Sequence, residues 1–119
     1  MDTGNGRAQT ARLAVTDLPS TLAEKVAVLG DLQAVTLTAL IRQERSIQTE
    51  HGALIYNMGE ASQRGTGLQP GDVIFQINRQ GVATAEDLKR GFAAAAGAGP
   101  VTVWFERGGV VGRTTFYVQ

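Results

Sequence analysis

The sequence predicts a small α+β domain: a partly open β-barrel or sandwich of about five or six short strands, capped by one main helix and a short one. Three observations carry that expectation. Short segments along the chain alternate apolar and polar residues with period two. Turn signals separate them, foremost Pro70-Gly71 and Gly108-Gly109. One longer helical stripe, from Ala85 to about Ala96, stands beside them.

Composition narrows the function classes. With 119 residues, 43% apolar and 18% charged, the chain suits one hydrophobic core rather than disorder. Eleven basic and eleven acidic residues cancel, leaving no field to recruit nucleic acid or an anionic membrane. No apolar run approaches the roughly 18 residues of a membrane span. No charged region followed by an apolar one marks a signal peptide, so the targeting segment of a secreted parent would lie outside this sequence. The absence of cysteine excludes disulfides and thiolate metal sites without identifying a compartment.

The elements follow in order. Met1 to Ala8 is polar and glycine-bearing, a tag remnant or frayed end. Thr10 to Asp17 reads as a strand, with Ala11, Leu13 and Val15 alternating against Arg12, Ala14 and Thr16, and Pro19 ends it. Thr21-Leu22-Ala23-Glu24 is a capping box opening a short helix with the stripe Leu22, Val26 and Leu29, stopped by Gly30. Val35 to Leu40, rich in β-branched residues, is the next strand, and the polar Arg42 to His51 a helical turn or loop. Gly52 to Met58 is a strand with Ala53, Ile55 and Asn57 opposite Leu54, Tyr56 and Met58. Pro70 presets φ and Gly71 supplies a left-handed position; Val73, Phe75 and Ile77 then share one face, with Ile74, Gln76 and Asn78 on the other. Thr84 caps the main helix, with Glu86 and Asp87 in its first turn. Val101 to Arg107 and Arg113 to Val118 form a hairpin through the five residues 108–112. The chain divides accordingly into a start over residues 1–20, a linker helix over 21–30 and a domain over 31–119.

Gly67-Leu68-Gln69-Pro70-Gly71-Asp72-Val73-Ile74, with Ile77-Asn78 and then Glu86-Asp87-Leu88, resembles the signature of bacterial PDZ domains. Val101 to Gly109 resembles that family's strand ending in Arg-x-Gly, and the resemblance spans roughly Gln33 to Val118. Gly59 to Leu68 departs from it, with Gln63 and Arg64 where small alanines are usual. Gly6 to Val15 loosely repeats Gly112 to Val118, and with Leu18-Pro19 it is similar to the closing strand of PDZ domains in the trypsin-like HtrA proteases. This implies the second domain of a tandem pair; the alternative is coincidence between two amphipathic strands.

The resemblance implies a module that captures a C-terminal or extended peptide by strand addition, with no cofactor and no metal. It places the carboxylate-binding loop at Leu32-Gln33-Ala34-Val35, where Gln33 and Ala34 replace the family's apolar residue and glycine, and the edge strand at Val35 to Ala39, including Thr36 and Leu37. Ala85, Lys89 and Phe92 would form the opposite wall. Phe92 would floor a pocket alongside Val35 and Leu37, and Lys89 at the rim would favour an acidic ligand side chain; the plain alternatives are core packing and a solvated lysine. The implied parent is an HtrA-type serine protease of the periplasm or cell envelope, with neighbouring PDZ and protease domains as partners. A site-2-type membrane protease, a C-terminal processing protease and a secretion scaffold share this signature. In a further alternative the domain is a non-binding assembly spacer whose groove is closed by Arg42 to His51.

Catalysis finds little support in the residues. His51 is the only histidine, and Ser20, Ser46 and Ser62 lack a Gly-x-Ser-x-Gly context. One imidazole without cysteine cannot close a metal site. Gly65 to Gly71 leads into a strand, so no helix N-terminus awaits a phosphate. Asp72 reads as a turn residue bonding backbone, and Trp104 falls opposite the Val101, Val103, Phe105 face, where simple packing is the default reading and contact with the linker helix or a neighbouring domain the alternative.

Overall fold

A computed structural model of the chain describes residues 23–118. Its strands are β1 (Val26–Leu29), β2 (Leu32–Thr36), β3 (Ala53–Met58), β4 (Val73–Ile77), β5 (Gln80–Gly81), β6 (Pro100–Arg107) and β7 (Val110–Tyr117). They form one antiparallel sheet in the order β1-β2-β3-β4-β6-β7, with β5 attached to β4. Three helices complete the α+β fold: α1 (Ala39–Arg45), α2 (Glu60–Thr66) and α3 (Ala85–Ala95).

Both sides of the sheet are apolar, because successive residues of a strand point to opposite faces. Leu32, Ala34, Ala53, Ile55, Ile74 and Val103 face the main core, which α3 closes with Ala85, Leu88 and Phe92. Val35, Leu37, Leu54 and Val73 build a smaller cluster on the other face, beneath Ile41 of α1. The single face expected for Val73, Phe75 and Ile77 is corrected by a bulge. The register of β4 against β6 shifts between Ile74 and Gln76, so Ile74 and Ile77 both reach the main core.

Three further expectations are corrected. Residues Val26–Leu29 form β1, paired antiparallel with β2, where a linker helix was expected. Pairing with β2 and the two β-branched valines outweigh a helical stripe of three residues. Among the described residues the sheet thus includes Val26–Leu29. The strand expected over Val35 to Leu40 ends at Thr36, because Thr38 caps α1: its Oγ1 accepts from Ile41 N at 3.2 Å. The last hairpin turns on two residues rather than five, with Gly108 (φ 58°) and Gly109 (φ 83°) both left-handed. The expected Met1 to Ala8 end, the Thr10 to Asp17 strand and its echo of Gly112 to Val118 lie outside the described residues.

The motif turn before β4 is clamped from β6. Asp72, fully buried, receives Arg107 Nε and Nη2 at 2.7 Å each and Gln69 N at 3.0 Å. Its carboxylate thus makes the expected backbone bond and, in addition, an ion pair that no sequence pattern announced. Arg107→Ala leaves that carboxylate buried without its cation and is expected to cost about 3 kcal/mol in denaturant unfolding; an unchanged midpoint would contradict the clamp.

On the second face, Glu106 is buried and accepts from Gln48 N at 2.9 Å and Thr49 N at 2.7 Å. Burial pushes its carboxyl up, but these bonds, the Thr49 hydroxyl and the Arg42 charge outweigh burial and hold it below its ordinary 4.5. The stabilisation is therefore present above about pH 4.5 and lost as pH falls through the lower folded value. Wild type is expected to exceed Glu106→Gln in stability near neutrality, with the gap closing under acid; a gap constant with pH would contradict this.

Candidate functional site

α3 is positioned by its first turn. Thr84 Oγ1 accepts from Asp87 N at 3.0 Å, while Asp87 Oδ2 accepts from Thr84 N at 3.3 Å and Ala83 N at 3.0 Å, a complete capping box. The bond from Ala83, foremost, holds the Asp87 carboxyl below its ordinary value. Phe92 anchors the middle of the helix edge-to-face on Phe116, centroids 5.9 Å apart. The start of α3 is tied to the end of β2, Ala85 N donating to Thr36 Oγ1 at 2.9 Å.

This brings the expected site residues to one crease only in part. Leu32 and Ala34 of β2 share the main core with Ala85 and Phe92. Val35 and Leu37 lie in the second cluster, so they do not accompany Phe92 in a pocket. The expectation was one residue out of phase, and in a strand a shift of one changes the face. Gln33 and Lys89 are exposed and Thr36 is half-buried. Leu32-Gln33-Ala34-Val35 is not a loop before the edge strand; it is the body of β2, and the turn before it is Gly30-Asp31. Ala34 carries no strain, since the left-handed non-glycine residues among those described are Ser46 and Asn78.

The outer edge of β2 is occupied by β1, which also lies against α3. Val26 pairs with Ala34, Ala27 with Gln33 and Leu29 with Leu32, and half-buried Val26 and Val28 pack on the main core. On either side of β1 the chain is fixed. Lys25 Nζ sits 4.5 Å over the Tyr56 ring and Ala23 packs on the second cluster. Asp31 O accepts from Gly59 N at 3.1 Å and its carboxylate takes the Ser62 hydroxyl. Gly59 allows that approach, since a Cβ there would stand 1.9 Å from Asp31 Oδ2. The expected cover, Arg42 to His51, instead lies across the second face, where Glu106 holds Gln48 and Thr49.

β1 is the element of the crease that stands in place of the expected linker helix. Its signal is two short, mostly apolar segments, Val26 to Leu29 and Leu32 to Thr36, separated by the two residues Gly30-Asp31, a hairpin spacing. His51 is exposed, ahead of β3, while Ser62 lies in α2 beyond its far end and bonds Asp31. Trp104 is half-buried, and Arg113 of β7 stacks on it, its guanidinium carbon 5.4 Å from the ring centre. Clefts of 190 and 370 Å³ lie elsewhere, the first between the back of α3 and Asn78, the second beside Gly30 between α2 and Phe116.

No protein-family model and no curated protein matches the chain. Among solved structures it is similar to the HtrA3 PDZ domain bound to a phage-derived ligand (FGRWV). The two share 19% identity over 79% of this chain and 84% of that one, with a TM-score of 0.62. At that identity the likeness establishes a PDZ-like fold.

Proposed function

We propose that the chain is a peptide-binding module that captures a C-terminal or extended segment by adding it as a strand to β2, beneath α3. The observation that carries this is β1 itself: the crease already accommodates an extended segment, antiparallel to β2 and packed by alternate side chains. The fold neighbour binds a five-residue ligand, in keeping with a site of this size. Leu32, Gln33, Ala34 and Thr36 would offer the strand edge, and Ala85 and Phe92 the apolar wall. Val35 and Leu37 support β2 from its other face. Exposed Lys89 would greet an acidic ligand side chain at the rim.

The finer reading is a regulatory or substrate-recruiting PDZ domain of an HtrA-type envelope protease, adjoining further PDZ and protease domains. Its support is the sequence resemblance. Any cleavage would belong to another domain, so the isolated chain is expected to leave casein intact; turnover abolished by His51→Ala would contradict that. A second reading, an assembly spacer, draws on the same strand, because β1 already satisfies the edge.

Fluorescence-anisotropy titration of C-terminal peptide pools separates the two readings. A binder is expected to prefer a free carboxylate over its amide, and Lys89→Glu to weaken acidic peptides about threefold to tenfold with the melting temperature unchanged, as for a rim charge. Phe92→Ala is expected to lose both binding and about 3–5 kcal/mol of stability. No binding by any pool, with the edge of β2 freed, would leave the spacer.

A further inference from the structure

We propose that β1 is a tethered pseudo-ligand: it occupies the peptide site, and the peptides that displace it carry branched aliphatic residues at alternate positions. The inference rests on the peptide-binding reading above and adds to it a regulation and a ligand class. Four observations converge on it. First, polarity: β1 runs antiparallel to β2 and ends with Leu29 opposite Leu32, at the start of β2. A captured C-terminus would lie there with the same direction. Second, β1 takes the outer edge of β2 and touches α3, so no added strand can pair with β2 while β1 remains. Third, its inward side chains are Val26 and Val28, while Ala27 between them is exposed, the alternate reading of a strand-addition ligand. Fourth, the hinge is local. Asp31 is bound to Gly59 and Ser62, whereas Gly30 is exposed with open space around it. β1 can turn about Gly30, the first residue of the turn, while Asp31 keeps its bonds to Gly59 and Ser62; to leave the edge it must also release the contacts of Lys25 with Tyr56 and of Ala23 with the second cluster.

The tether sets the competition. A segment two residues away from its site acts at an effective concentration of roughly millimolar or above. An external peptide therefore binds with an affinity reduced by the fraction of molecules in which β1 has left. The occupied register names the favoured ligand: valine-sized branched side chains two residues apart, with a small residue between them.

The test locks and releases β1 in one protein. Ala27 and Gln33 are paired, exposed and in a chain without cysteine, so Ala27→Cys with Gln33→Cys can form a single cross-strand disulfide. The probe is a fluorescein-labelled peptide with the sequence of residues 25–29 and a free carboxylate. The reduced protein is expected to bind it at least about tenfold more tightly than the oxidised one. Val26→Asp with Val28→Asp is expected to tighten binding further while the chain stays folded by amide spectra. Equal binding to oxidised and reduced protein, or failure of the disulfide to form, overturns the pseudo-ligand and leaves the peptide-binding reading standing. Unfolding of the double aspartate variant shows β1 to be an integral strand and also overturns it. If the folded aspartate variant binds neither this probe nor any C-terminal pool, the peptide-binding reading itself fails.

Discussion

A sheet strand carries two rows of hydrogen-bonding groups, and the outer row of β2 is the constraint on which this structure turns. The inner row is committed to β3. The outer row runs beneath α3, where the surroundings are apolar and a buried amide or carbonyl without a partner is costly. In this structure β1 supplies the partner. The rest of the domain holds that edge in place. The capping box at Thr84 aims α3, Phe92 seats it on Phe116, and the bond from Ala85 to Thr36 closes the far end of the crease.

The two faces of the sheet divide the work. The main core and α3 form the side on which the proposed recognition crease lies. The smaller cluster under α1, with Gln48 and Thr49 fastened to Glu106, braces β2 and β3 from behind. The Asp72–Arg107 pair joins the motif turn to β6. These attachments cross between distant elements. β1 is shorter: its four residues are held by pairing with β2, by two inward valines and by the contacts of Lys25 and Ala23 just ahead of it.

Much of the frame was legible in the sequence because its signals are local. Pro70-Gly71 marks the turn before β4, and Thr84 with Asp87 marks the start of α3 through bonds that close within three residues. What escaped depends on distant partners. The phase of β2 was misread because Val35 and Leu37 are as apolar as Leu32 and Ala34, and both faces are buried. The bulge at Ile74–Gln76 hides within an unbroken alternation, and the ion pair of Asp72 joins residues 35 positions apart. β1 looked helical because Leu22, Val26 and Leu29 happen to keep a helical spacing. Only its pairing with β2 decides otherwise, although the two-residue Gly30-Asp31 turn was visible.

The identity of the crease as the recognition site is open to one direct measurement. Intermolecular nuclear Overhauser effects between an isotope-labelled chain and a bound, unlabelled peptide report which side chains lie within about 5 Å of the ligand. A peptide added to β2 must show contacts to Ala34, Leu88 and Phe92, with the resonances of Val26 and Val28 shifting as β1 leaves. Contacts confined to Tyr117 and the outer edge of β7, with β1 undisturbed, would place recognition on the other side of the sheet and contradict the assignment.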